Sequence, residues 1–123
     1  MFTGYLLTEE SRNRLKALYP PKYSDFVGEH VTEKFGVKKD APAPAMPQTV
    51  RIVGYANDGD KVEGFLVEVN GTSERPSGGL YHLTWSLDRS KGAKPKDTNE
   101  VVLRAVFVKP FDLVVVPKNF HNR

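Results

Sequence analysis

The chain has 123 residues, of which 39% are hydrophobic and 27% charged, with a formal net charge of +3 and no cysteine. That length supports one domain with one modest core. A chain without cysteine has no disulfides, no thiol nucleophile and no cysteine-ligated zinc, and mild basicity suits an anionic ligand without requiring one.

The opening FTGYLLT has the length and residue types of a strand. No basic segment precedes an apolar core there, and no run of about 18 apolar residues occurs, so neither a signal peptide nor a membrane span is expected, and a cytoplasmic protein is. Thr8 is placed to cap a helix over residues 9–19, with Glu9 and Glu10 at its positive end and Leu15, Leu18 and Tyr19 as its apolar stripe. Pro20 and Pro21 end it, because neither donates a backbone hydrogen bond. Residues 38–48, KKDAPAPAMPQ, are rich in Pro and Ala and predict an exposed loop. A hairpin follows: TVRIVGYAN, a turn at Asp58-Gly59-Asp60, then KVEGFLVEVNG. Asn70-Gly71-Thr72 matches a glycosylation acceptor but is better explained as a turn. The loop TSERPSGG leads into LYHLTWSL, and RSKGAKPKDT forms a further loop. A short helical turn near 98–105, a strand, and a final buried strand FDLVVVP complete the chain. The expected class is α+β, with one clear helix, a short second one, and six or seven mainly antiparallel strands.

Two of the three histidines sit in the same local pattern, EHVTEKFG at 29–36 and YHLTWSLD at 81–88. In a strand, side chains at i and i+2 share a face, so His30 projects with Thr32, and His82 with Thr84. Continuing the alternation puts Lys34 beside the first pair and Ser86 beside the second. The opposite faces then carry Val31 and Phe35 in one strand and Leu83 and Trp85 in the other, as a core requires. His121, in the tail PKNFHNR, is expected to be a solvated terminal residue. No carboxylates at ligand spacing accompany His30 and His82, so no metal and no cofactor is expected.

With these motifs the chain resembles the two-histidine (2H) phosphoesterases, the ligT-like phosphodiesterases, whose signature is two copies of His-x-Thr/Ser-apolar. HLTW at 82–85 matches throughout, and HVTE at 30–33 departs only at Glu33. The spacing is short, as in the small phage RNA-repair-like proteins and the phage enzymes that degrade cyclic nucleotide signals. The resemblance implies a single two-lobed α+β domain over residues 1–123, with mainly antiparallel strands and one or two helices around a central cleft. It also implies His30, Thr32, His82 and Thr84 as catalytic residues.

Opening or cutting a phosphodiester needs one proton removed from the attacking oxygen and one given to the leaving oxygen, and two imidazoles hold opposite protonation states near neutrality. Threonine hydroxyls suit the non-bridging phosphate oxygens. The resemblance implies a nucleotide or RNA substrate: either 2′,3′-cyclic phosphate ends or the 3′-5′ linkages of a cyclic oligonucleotide. Lys34, Ser86 and Tyr5 are candidate substrate contacts, Tyr5 and Tyr23 being possible base platforms. Trp85 is assigned to the core. Arg75, Lys91, Lys94 and Lys96 stand on loops able to close over an anion. A non-catalytic nucleotide- or RNA-binding module of the same fold, and a structural protein with accidental motifs, are the competing expectations.

Overall fold

The computed structural model describes residues 1–121. In chain order the elements are β1 (Phe2–Leu7), α1 (Glu9–Leu18), β2 (Asp25–Phe26), β3 (His30–Phe35), β4 (Val50–Asn57), β5 (Val62–Val69), β6 (His82–Leu87), α2 (Thr98–Val101), β7 (Val106–Asp112) and β8 (Val115–Phe120). The class is α+β: one eight-stranded sheet of order β7-β4-β5-β6-β3-β1-β8, with β2 pairing β6 off that path. Every strand pairing among the described residues is antiparallel. Among the described residues, no helix is long and apolar enough to cross a membrane.

Local chemistry explains most of the elements. Thr8 caps α1 by accepting a hydrogen bond from the Ser11 amide at 3.2 Å, and the helix stops before the proline pair. Leu15 is fully buried, but Leu18 is 61% exposed, so the apolar stripe is narrower than its spacing suggested. Asn70 and Gly71 both have positive φ and close the turn between Val69 and Thr72, with the Asn70 Oδ1 accepting from the amides of Gln48 and Thr49. FDLVVVP is not one buried strand. β7 ends at Asp112, and β8 starts at Val115 on the other edge of the sheet with Val114 and Val116 exposed. Three residue steps reach at most about 11 Å, so the sheet curls until its two outer strands meet at that corner. There Leu113 donates to the Val50 carbonyl, and Val114 bonds both Ser11 and Thr8.

Inside the curl lies the core. Val31, Phe65, Leu83 and Trp85 are fully buried beneath α1, and the Trp85 indole donates to the Tyr19 carbonyl at 2.8 Å. Burying side chains of this size contributes roughly 1.5–3 kcal/mol each.

The sheet divides into two groups of strands that meet at a seam. β3 and β6 approach through the pair Val31 and Leu83, and the residues before β3 extend the contact, with Val27 and Gly28 amides donating to the carbonyls of Trp85 and Thr84. Across the seam the two groups repeat one another. His30 pairs Leu6, Val31 pairs Tyr5 and Thr32 pairs Gly4 on one side, while His82 pairs Leu66, Leu83 pairs Phe65 and Thr84 pairs Gly64 on the other. The next residue, Glu33 in β3 and Trp85 in β6, is an extra residue with no partner in its neighbour strand, a β-bulge in each case. Pairing resumes at Lys34 with Thr3 and at Ser86 with Glu63.

The bulges explain why each motif threonine faces a glycine. A Cβ on Gly4 would lie 2.3 Å from the Val31 carbonyl oxygen, and one on Gly64 would lie 2.9 Å from the equivalent Leu83 oxygen and 2.6 Å from Thr98 Cγ2. Gly4→Ala and Gly64→Ala are each expected to destabilise the fold by about 1–3 kcal/mol, read as a lowered urea midpoint. An unchanged midpoint in both would refute the close approach.

Candidate functional site at the seam

The antiparallel register around Val31 and Leu83 sets His30 beside Thr84 and Thr32 beside His82 on the face away from the core. All four residues line one cleft of about 410 Å³, together with Arg12, Phe26, Glu29, Phe35, Arg89 and Lys96 among others. Thr32 and Thr84 are buried and the two histidines half-buried.

Each imidazole is held from behind. His82 Nδ1 lies 2.9 Å from the Leu80 carbonyl. A carbonyl only accepts, so Nδ1 carries the proton and Nε2 is left as the basic nitrogen. Burial holds His82 below the ordinary histidine value; the Leu80 bond opposes this, and the nearby charges of Arg75 and His30 reinforce it. His30 Nδ1 lies 3.0 Å from the Glu29 carboxylate, which accepts from the ring when Nδ1 carries a proton, and the ring also packs against Phe2 and Phe120. The Thr84 hydroxyl lies 2.8 Å from that of Thr98, which is fully buried, and 3.3 Å from the Pro95 carbonyl. When Thr98 is the donor of that pair, Thr84 keeps its own proton for Pro95 or for a ligand.

Three expected substrate contacts lie elsewhere. Because of the bulge at Glu33, Lys34 pairs Thr3 on the face opposite His30, and Phe35 takes the cleft face instead, where it is 58% exposed. In β6 the bulge at Trp85 turns Ser86 away from His82. Its hydroxyl donates to Glu63 at 2.7 Å and accepts from the Tyr23 amide at 3.1 Å, fully buried. Uninterrupted alternation was the wrong assumption in both strands. Tyr5 pairs Val31 and is buried on the core face, where burial and the adjoining Tyr81 raise its pKa, so it offers no platform in the cleft. Tyr23 is also remote, its hydroxyl donating to Asn57 at 2.6 Å.

Glu33, the residue that departs from the apolar pattern, accepts a hydrogen bond from the Thr3 hydroxyl at 2.8 Å. Among the loop cations Lys96 lines the cleft, whereas Lys91 pairs with Asp60. Arg75 lies over the Phe35 ring, 5.6 Å from its centroid. His121 is half-buried rather than solvated. No three His, Asp or Glu side chains converge as metal ligands would among the described residues.

Sequence reasoning missed Arg12, Glu29 and Phe35. Arg12 Nε and Nη2 donate to the carbonyls of Gly28 and Val27 at 3.0 and 2.9 Å, and its guanidinium carbon stands 4.1 Å from the centre of the Phe26 ring. A signal for the repeated architecture was present, since Gly4-Tyr5-Leu6-Leu7 and Gly64-Phe65-Leu66-Val67 share the order Gly, aromatic, Leu, aliphatic. A scan against protein-family models finds no match for this chain, and comparisons with curated proteins and with solved structures find none either.

The site makes a spectroscopic prediction. Long-range ¹H–¹⁵N correlation spectra should give His82 as the Nδ1–H tautomer when neutral, with a titration midpoint below the ordinary value of 6.5. The sign follows from burial, which disfavours the charged ring, so the neutral form persists to lower pH. An Nε2–H tautomer, or a midpoint above 6.5, would contradict the arrangement described.

Proposed function

We propose that the protein is a phosphodiesterase that cleaves nucleotide phosphodiesters by paired-histidine acid–base catalysis, in the manner of the two-histidine phosphoesterases its motifs resemble. One observation carries the reading: two imidazoles, each anchored through Nδ1, stand with two buried threonines on one cleft.

Burial favours His82 as the base. Its Nε2 accepts the proton of the attacking oxygen, either water opening a 2′,3′-cyclic phosphate or the ribose 2′-hydroxyl displacing a 3′-5′ linkage. As the new oxygen–phosphorus bond forms and the old one breaks, protonated His30 gives its Nε2 proton to the leaving oxygen, with Glu29 as its counterion. Each turnover leaves His82 protonated and His30 neutral, and proton exchange with water restores both. Thr32 and Thr84 donate to the non-bridging oxygens and keep phosphorus in line with the attack. The alternative is a nucleotide-binding module without turnover, but binding alone gains nothing from two imidazoles of contrasting environment.

The test uses purified protein with chelator present. The panel is 2′,3′-cyclic mononucleotides, short RNA, and cyclic di- and trinucleotides, beside His30→Ala and His82→Ala. Wild type is expected to cleave at least one class, with each substitution lowering kcat by about 10²–10⁴-fold. No turnover of any substrate, with nucleotide binding unaltered in both variants, would leave the binding module as the correct reading. The acid limb of kcat/KM is expected below pH 6.5, because His82 must be neutral to act and its value is lowered.

A further inference from the structure

The cleft is two-fold in backbone but uneven in charge. The three cations that line it belong to the end marked by His30 and Thr84, while Arg75, outside the lining, lies over Phe35 at the other end. Arg12 is fixed to the carbonyls of Val27 and Gly28, immediately before β3. Lys96 follows Pro95, whose carbonyl lies beside the Thr84 hydroxyl. Arg89 follows β6, its amide donating to Asp25 at 3.0 Å. At the end marked by Thr32 and His82 the lining residue is the exposed Phe35. Glu29 is the acidic residue lining the cleft, and it is engaged with His30.

A scissile phosphodiester carries one negative charge and sits, on the reading above, between the histidines. Three cations displaced to one side exceed what that charge requires. Arg12 is also pre-ordered: two of its three nitrogens are hydrogen-bonded and one face of the guanidinium rests on Phe26, so a ligand meets it with little loss of side-chain freedom. We infer that the Arg12, Arg89 and Lys96 end of the cleft binds a second phosphate of the substrate, beyond the scissile one. The substrate is then a nucleotide with at least two phosphates, oriented with the second phosphate on the His30 side and apolar surface toward Phe35. This inference rests on the phosphodiesterase reading and narrows its substrate class.

Equilibrium binding of adenosine 3′-monophosphate and adenosine 3′,5′-bisphosphate, by calorimetry at fixed ionic strength, tests it. The bisphosphate is expected to bind about tenfold more tightly or better, as a charge-assisted contact supplies. Arg89→Ala and Lys96→Ala, both at exposed positions, should reduce that advantage by lowering bisphosphate affinity more than monophosphate affinity. Equal affinities for the two ligands, or an equal loss for both in the variants, would overturn the inference, because undirected attraction would then explain the charge. Failure of both ligands to bind at millimolar concentration would also overturn it. The phosphodiesterase reading is judged separately by turnover of the panel, so a protein that cleaves but ignores the second phosphate loses only this inference.

Discussion

The approach of β3 to β6 at Val31 and Leu83 is the constraint on which the rest of the molecule depends. Both side chains are fully buried beneath α1, so water is excluded from one face of the seam and the register is locked there. Strand side chains alternate, and the same register therefore places His30, Thr32, His82 and Thr84 on the other face. A slip by one residue would bury imidazoles and expose Val31 and Leu83, at a cost of several kcal/mol in lost apolar burial. The arrangement of polar groups in the cleft is thus fixed mainly by hydrophobic packing behind it.

Much of this was legible because local chemistry and tertiary demand agree. The Thr8 cap, the proline stop after α1, the Asn70-Gly71 turn, the short helix at Thr98 and both His-x-Thr faces follow from the nature and spacing of their own residues. What escaped was set by non-local geometry. A bulge is an extra residue relative to a partner strand, and a strand read alone carries no count of its partner's residues. Lys34, Phe35 and Ser86, all beyond a bulge, are therefore each assigned the wrong face by simple alternation, whereas the residues ahead of each bulge are assigned correctly. Arg12 escaped for a different reason. Its partners are the carbonyls of Val27 and Gly28, which have no sequence signature and come within reach only where β2 and β3 part company.

The two halves of the seam use the same backbone device for different ends. The bulge residue of β6 is Trp85, which fills the core under α1 and ties itself to the helix end through the Tyr19 carbonyl. Its counterpart Glu33 meets a small polar cluster made by Thr3, Tyr5 and Tyr81. One half is anchored by a large apolar side chain and the other by hydrogen bonds, so the backbone symmetry does not extend to stability. The histidines differ in the same spirit, one backed by a neutral carbonyl in a buried setting and the other by a carboxylate. Two rings in matching positions are thereby given unlike chemistry.

The Arg12 guanidinium bridges α1 to the break between β2 and β3. Helix and cleft wall are consequently parts of one cooperative unit: the first turns of α1 cannot fray without releasing the carbonyls of Val27 and Gly28, whose amides in turn hold the seam to β6. In small proteins the wall of a cleft is often among the least protected segments. Here the link ties the wall to the helix that covers the core, so local opening of the wall requires loss of the Arg12 bonds as well as its own.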